Sequence, residues 1–369
     1  MFTSLSIRNF RCFDTLSIDN SLDRVNLIAG LNSAGKTALL EAIYLLIGMG
    51  NAALIQRLSV FRNVTDSFSG GPQQFSEIFW DPLFYNLDSS KDIEIKGLHS
   101  EGQHVVRLSI DRSRTKQVSV LLGGGKGDSD GLDPVPIEGD VLNSDALIYE
   151  HTKPDQLTIK TQSMLAERDG SVTSIHVSPT SPEPIGGSFY AANQSGGPQE
   201  DAARYTRLES GREPIDLLDS LRIMEPRLER LRVGVVAGTP MLRGDIGIGR
   251  MAPLSLLGEG LVRLTGILLS VADAPGGVVL IDEIENGFHH SVLSRVWAAI
   301  GEAARRYDTQ VFATTHSFEC IEAAHEAFRE DRQYAFRLHR LERIAGESHV
   351  ITYDQETLAA AVRSNLEVR

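Results

Sequence analysis

Three short stretches carry residue types and spacings suited to phosphate chemistry. The first is Gly30-Leu31-Asn32-Ser33-Ala34-Gly35-Lys36-Thr37, which fits the pattern G-x-x-x-x-G-K-[ST]. Gly30 and Gly35 let the backbone curl close to a phosphate. The N–H groups from Asn32 through Ser33, Ala34 and Gly35 to Ala38 lead into a helix start, where the dipole favours an anion. Lys36 reaches the β- and γ-phosphates of a nucleotide, and Thr37 offers a hydroxyl to Mg²⁺. The second stretch, Gly277-Val278-Val279-Leu280-Ile281-Asp282-Glu283, is an apolar strand ending in two carboxylates, the Walker B form. Such a strand, buried on both faces, delivers Asp282 to the ligand edge of a parallel sheet. Asp282 would support Mg²⁺, and Glu283 would position or deprotonate an attacking water. The third, Gln310-Val311-Phe312-Ala313-Thr314-Thr315-His316-Ser317, is a second apolar strand with a polar tip, where His316 can contact a γ-phosphate or the water.

A fourth stretch is weaker by itself. Ser255-Leu256-Leu257-Gly258-Glu259-Gly260 runs into a helical pattern, so Gly258, Glu259 and Gly260 form another anion-accepting helix start. A plain turn and cap would look the same. His289 and His290 adjoin the Walker B stretch, but the sequence supplies no further ligands to make them a metal site.

The elements that must position these residues are legible in part. Phe2 to Ile7 and Thr15 to Ile18 read as strands around a polar turn, Arg8 to Phe13. Val25 to Ala29 is a short buried strand, and Thr37 to Leu46 the helix that follows. Asn51 to Val64 has helical spacing of Leu54, Leu58 and Phe61. Ser67 to Asp88 is loop-like, yet its aromatic residues predict that it is packed. Asp92 to Gly97, Val105 to Ile110, Gln117 to Leu121 and Gln156 to Lys160 alternate at period two and predict an antiparallel meander. Gly123 to Asp145 and Ser178 to Pro198 read as loops, rich in Gly, Pro and polar residues. Pro214 to Leu231 reads as a helix made locally basic by Arg222, Arg227, Arg230 and Arg232, and Val233 to Met251 as a hairpin. Helices are expected at Leu261 to Val271, Ser317 to Arg329 and Gln355 to Leu366, and strands at Tyr334 to Leu341 and His349 to Tyr353.

Bulk composition sets limits. A chain of 369 residues with 41% hydrophobic and 23% charged residues can bury a large core. A net charge of −13 means that no global field draws nucleic acid, so any DNA contact needs a local basic patch. Two cysteines, Cys12 and Cys320, make no disulfide framework. The start lacks the basic-then-apolar layout of a signal peptide, and no uncharged apolar run reaches about 18 residues. The expectation is a cytoplasmic protein without a membrane span.

Together the motifs resemble the ABC-type ATPase heads of the SMC, RecF and OLD (overcoming lysogenization defect) group. The likeness rests on Leu5-Ser6-Ile7-Arg8-Asn9-Phe10-Arg11-Cys12-Phe13, the phosphate loop, Asp282 to His289 and Ala313 to Ser317. The pattern most resembles the short, stand-alone OLD-like AAA-family ATPases, many of which accompany nucleases in bacterial antiphage or toxin-like systems. It covers about residues 1–50 and 250–355 strongly and the middle loosely. The resemblance implies an α/β P-loop NTPase with a mixed central sheet, flanking helices and an antiparallel β subdomain. It implies one ATPase head over residues 1–369: an N-terminal lobe 1–50, an inserted β-rich and helical region 51–250, and a third lobe 251–369. The ligands implied are ATP and Mg²⁺. The implied assembly is a homodimer or higher oligomer, with the nucleotide between one copy's P-loop and the other's signature loop. That loop would be Leu257 to Leu264, with Gly258 where the family pattern has serine, which puts the strength of ATP-driven dimerisation in question. Gln73 and Gln74 are the only weak candidates for a glutamine loop. No coiled-coil arms interrupt the chain, and too few residues follow His316 for a Toprim nuclease domain, so a nuclease or toxin partner would be a separate protein.

The activity this predicts is Mg²⁺-dependent ATP hydrolysis that gates an effector or DNA engagement. Two rivals stay open: an ATP-bound scaffold that hydrolyses weakly, and a RecF-like DNA-repair ATPase. The sequence lacks the Asn-Lys-x-Asp motif of guanine readers, which argues against a GTPase.

Overall fold

The computed structural model describes residues 1–62, 71–112, 140–141, 144–168, 171–177, 184–192, 197–210, 217–329, 334–364 and 366–369. Its centre is a six-stranded sheet in the order Gly187–Tyr190, Val278–Ile281, Gln310–Thr314, Val25–Gly30, Phe336–Ile344, Glu347–Tyr353. The first five strands run parallel and the last turns back antiparallel. Val278–Ile281, Gln310–Thr314 and Val25–Gly30 are buried at every position. Their apolar runs do not alternate with polar residues because both faces of the sheet are covered.

The pleat divides these side chains between two cores. Ile28, Val278, Leu280 and Phe312 join the core around the helix Lys36–Ile47. Leu27, Ala29, Val279, Ile281, Val311 and Ala313 join a second core with the helices Glu259–Ala272, Leu293–Arg306 and Phe318–Phe328. At roughly 2 kcal/mol per buried aliphatic side chain, these faces fix the sheet register and the strand tips that carry the chemistry.

The helix Lys36–Ile47 lies between this sheet and an eight-stranded antiparallel one. The second sheet runs Phe13–Ile18, Phe2–Phe10, Ile93–His99, Gly102–Asp111, Ala146–Thr152, Thr158–Arg168, with Asp140–Val141 and Ser171–Val177 also on the last of these. Thus strands from the N-terminal stretch and from the middle of the chain share one sheet. Thr161 donates to the Gly50 carbonyl at 2.7 Å and Tyr149 to that of Leu45, tying the sheet to the helix end. The helix is therefore apolar almost all round, as a helix covered on both sides must be.

Several expectations are corrected. The polar turn Arg8 to Phe13 shrinks to Arg11 and Cys12, because Phe2–Phe10 and Phe13–Ile18 pair up to Phe10 opposite Phe13. Arg8 to Phe10 belong to the strand because Phe10 and Phe13 are core residues. The helix expected over Pro214 to Leu231 is, among the described residues, only Leu217–Leu221. Pro226 bars a continuing helix, and Arg230–Val236 is a strand paired with Thr239–Asp245. Within the supposed loop Ser178 to Pro198, Gly187–Tyr190 is the edge strand beside the Walker B strand, too short to show a period. The helix Pro198–Glu209 and the strand Ala146–Thr152 have no counterpart in the sequence reading. The strand expected at Gln117 to Leu121 lies outside the described residues, as does most of the loop Gly123 to Asp145. Phe75, Phe79, Trp80 and Phe84 are buried, so the aromatic-rich stretch is packed as expected. No helix among the described residues is long and apolar enough to cross a membrane.

Candidate functional site

The site forms where the parallel strands end. Val25–Gly30 runs into the P-loop, and Lys36–Ile47 leaves it. Gly35 caps that helix with φ 104°, a left-handed conformation suited to glycine, and no side chain bonds to the helix start. The first N–H groups of the helix are thereby left for a ligand, and the first turn holds no acidic residue to repel one. Gly30 has φ 149°, and a Cβ there would stand 2.6 Å from the Leu341 carbonyl oxygen, so a neighbouring strand also demands glycine. The Lys36 ammonium is held by the carbonyls of Gly30 at 2.7 Å and Leu31 at 3.2 Å. Burial lowers its pKa, while Asp282, Glu285 and Glu283 pull it back up. These three carboxylates share the pocket of charge with Lys36.

Thr37 and Asp282, 245 positions apart in sequence, meet directly: Thr37 Oγ1 donates to Asp282 Oδ2 at 2.9 Å. Thr314 Oγ1 donates to the other oxygen, Oδ1, at 2.5 Å and accepts the Glu283 N–H at 2.8 Å. One hydroxyl thus orients both Walker B residues. Burial raises the Asp282 pKa, opposed by the hydrogen bonds from Thr314 and Thr37. The hydroxyl of Thr37 and the carboxylate of Asp282 are hard oxygen donors that touch each other, a set that fits Mg²⁺.

Glu283 adopts φ 48°, in the left-handed region, at the point where the strand gives way to a turn. Strain of about 1 kcal/mol or more at such a residue is held only by surrounding contacts. Those contacts are present. Its carboxylate accepts from Asn286 Nδ2 at 2.8 Å, and Ile284 N–H bonds the Thr314 carbonyl at 3.0 Å. The Arg263 guanidinium donates to the carbonyls of Asp282 at 2.9 Å and Glu283 at 2.8 Å. His316 sits beyond Thr315 with its side chain half exposed. Its backbone N–H donates to Glu285 Oε1 at 3.0 Å, and its Nδ1 lies 3.1 Å from the same oxygen.

The structure thus joins Thr37, Asp282 and Glu283 through Thr314, and His316 to the same turn through Glu285. Gly258, Glu259 and Gly260 open the helix that packs against the turn after Asp282 and Glu283. Gly258 caps the helix Glu259–Ala272 without a side-chain bond, and Gly258 and Glu259 are exposed. Among the described residues no hydrogen bond ties Gly258, Glu259 or Gly260 to the P-loop. Asn32 and Ser33 are exposed and Ala34 is buried in the same loop, and Ala38 is buried inside the first helix turn. Gln73 bonds Glu77, and Gln74 accepts from the Gly71 N–H, so both are engaged locally. Among the described residues no group of three or more His, Cys, Asp or Glu side chains converges as a metal cluster would require.

Sequence reading gave no role to the residues that hold the reactive ones: Thr314, Asn286, Glu285 and Arg263. They lie inside the motif stretches, but nothing in the spacing marks what they bond. It also missed Glu41, fully buried on the P-loop helix and clamped by Arg11 at 2.9 Å and Arg62 at 2.6 Å. Arg11 belongs to the N-terminal motif, and this pairing locks that motif against the P-loop helix.

Comparisons with known proteins find likenesses over most of the chain. Residues 1–129 match a family model described as an AAA ATPase domain. Residues 188–322 match one described as "AAA domain, putative AbiEii toxin, Type IV TA system". A Helicobacter pylori protein named "ATP/GTP phosphatase" is 24% identical over 349 residues, covering 89% of each chain. The crystal structure of an SmcHead bound to the C-winged helix domain of ScpA is similar in fold, with a TM-score of 0.50 at 12% identity, covering 97% of this chain and 99% of that one. The chain is an ATPase that carries two stretches matching AAA ATPase domains, built on a mixed α/β P-loop fold like that of the SmcHead.

Proposed function

We propose that this ATPase hydrolyses ATP at the site formed by Lys36, Thr37, Asp282, Glu283 and His316, and that a second copy completes the site. The observation that carries the reading is the chain Thr37–Asp282–Thr314–Glu283, which joins a hydroxyl and two acidic residues at one sheet edge. Lys36 and the helix start bind the β- and γ-phosphates. Thr37 and Asp282 would hold Mg²⁺, which offsets phosphate charge when bound. Glu283, oriented by Asn286, takes the proton of the attacking water, and His316 contacts the γ-phosphate. The name of the Helicobacter pylori relative supports a phosphatase-type reaction on ATP or GTP.

The signature loop supplies the reason for a second copy. Gly258 and Glu259 lie exposed at a helix start that no side chain caps. A homodimer would bring them onto the other copy's γ-phosphate. The chain then acts as one head over residues 1–369, in which ATP binding and hydrolysis gate a separate nuclease or toxin, or DNA, in bacterial defence. The toxin–antitoxin wording of the C-terminal family model is in keeping with that role. A cytoplasmic place suits it. Gly258, with no hydroxyl to offer, favours a slow cycle, so a long-lived ATP-bound scaffold is the second reading.

The test is Glu283→Gln. It should retain ATP binding with Mg²⁺, lose turnover by roughly 10²–10⁴-fold, and accumulate as a dimer in light scattering when ATP is present. Unchanged turnover sinks the base assignment. A monomer at saturating ATP sinks the two-copy site.

A further inference from the structure

Arg263 lies in the second turn of the signature helix Glu259–Ala272 and is 6% exposed. Burying a guanidinium is costly unless it is paired. Yet among the described residues its hydrogen bonds go only to two main-chain carbonyls, those of Asp282 and Glu283. Its Nε has no partner there. Burial lowers its pKa, and Tyr190, Glu285, Asp282 and Glu283 oppose that effect through their charge. Its guanidinium therefore sits behind a turn that gathers three carboxylates. The turn also includes the left-handed Glu283, whose φ of 48° is disfavoured without outside support.

The helix start is pressed against the same segment. A Cβ at Gly260 would stand 2.6 Å from the Gly287 carbonyl oxygen and 2.6 Å from Met224 Cε. Only glycine allows that approach, so signature helix and Walker B turn are in contact at two points. The Arg263 contact falls on the carbonyls of Asp282 and Glu283 themselves, and the Gly260 contact on Gly287, four residues past Glu283.

We propose that Arg263 is a positioning residue for hydrolysis: by clamping the Asp282 and Glu283 carbonyls it holds the Glu283 carboxylate in its working place. Because Arg263 and the Gly258–Gly260 loop share one rigid helix, whatever seats on that loop also bears on Glu283 of the same chain. The proposal rests on the reading of Glu283 as the base.

The experiment is a double-mutant cycle of Arg263→Gln with Glu283→Gln, in the full chain. Steady-state kcat and KM for ATP are measured together with binding of a fluorescent ATP analogue and a thermal melt. Arg263→Gln should lower kcat about 100-fold, as an angstrom-scale misplacement of a base does, with analogue affinity within about threefold. Arg263→Lys, which keeps the charge and one reach to a carbonyl, should recover about tenfold of that loss. In the Glu283→Gln background the Arg263 substitution should cost almost nothing more, because its effect acts through that carboxylate. A merely structural arginine would instead cost the same factor in both backgrounds, and that additivity overturns the proposal. So does a wild-type kcat in Arg263→Gln. If Glu283→Gln itself keeps full turnover, the base reading has failed, which is a different result. Should the glutamine variant not fold, the lysine variant runs the same cycle.

Discussion

Thr314 shows how a single hydroxyl can serve two roles in one site. It donates to Asp282 and accepts from the Glu283 backbone, and its side chain is fully buried. Valine has the same shape without the oxygen. Thr314→Val would leave a buried carboxylate oxygen without its donor and free the backbone at a left-handed residue. Loss of a hydrogen bond to a buried charge costs about 2–3 kcal/mol. If that loss falls on the transition state, turnover drops roughly 30- to 150-fold. Thr314→Ser keeps the hydroxyl and should stay within about threefold of the parent enzyme. Steady-state ATP hydrolysis checks both. Equal rates for the valine and serine variants would show that the hydroxyl does not act on the reaction. The motif residues Lys36, Thr37, Asp282, Glu283 and His316 were legible because each stands in a short stretch of fixed spacing. Thr314 and Arg263 stand in such stretches too, but their roles were not legible, because their partners lie 32 and 19 positions away and no spacing rule connects them.

Between elements, the link that merits a measurement is Gln310. It is fully buried at the start of the strand Gln310–Thr314. Its carbonyl accepts the Phe2 N–H at 2.8 Å, and its amide donates to the carbonyls of Phe2 at 2.8 Å and Asp23 at 2.9 Å. This one side chain fastens the first strand of the antiparallel sheet to the parallel sheet. Gln310→Leu would strand those main-chain groups in an apolar setting, at about 1–3 kcal/mol each. A fall in melting temperature of roughly 5 °C or more is expected. A melt unchanged within about a degree would mean that the two sheets are joined without it. Sequence reading made the strand itself plain, yet its polar first residue went unused. The same limit explains the other misses. Gly187–Tyr190 is four residues long, and its pattern is set by the neighbouring Val278–Ile281 instead of by its own period. Leu217 to Leu231 has helical spacing of leucines, but Pro226 overrides it and tertiary pairing makes Arg230–Val236 a strand. Long apolar runs at the sheet centre were readable, and short edge elements were not.

For the whole molecule, acid is the stress that the buried imidazoles should report. His151 and His339 are fully buried, and burial pushes both pKa values down to about 3. His151 feels His104 and Lys153 as well, and His339 feels Arg337. Both are neutral in the folded chain, His339 bonded to Thr352 and Asn26 and His151 to His104. In the unfolded chain each takes a proton near pH 6.5. Between pH 6.5 and 3 the unfolded state therefore binds more protons, and stability falls as pH falls through that window. Asp201 works the other way. Burial raises its pKa from 3.8 to about 6, so between these values the folded state binds the extra proton and gains stability on acidification. Below pH 6 it offsets about one histidine. At pH 5 each neutral histidine should cost on the order of 2 kcal/mol relative to pH 7.5. The check is a set of thermal melts from pH 7.5 to 5 on the parent chain, Asp201→Asn and His339→Gln. Asp201→Asn should steepen the loss below pH 6, because its offset is gone. His339→Gln should flatten the slope between pH 6.5 and 5 by about one proton. If all three chains share one slope, His339 is not held neutral at the sheet centre. The strand Phe336–Ile344 would then need another account of its polar, fully buried residue.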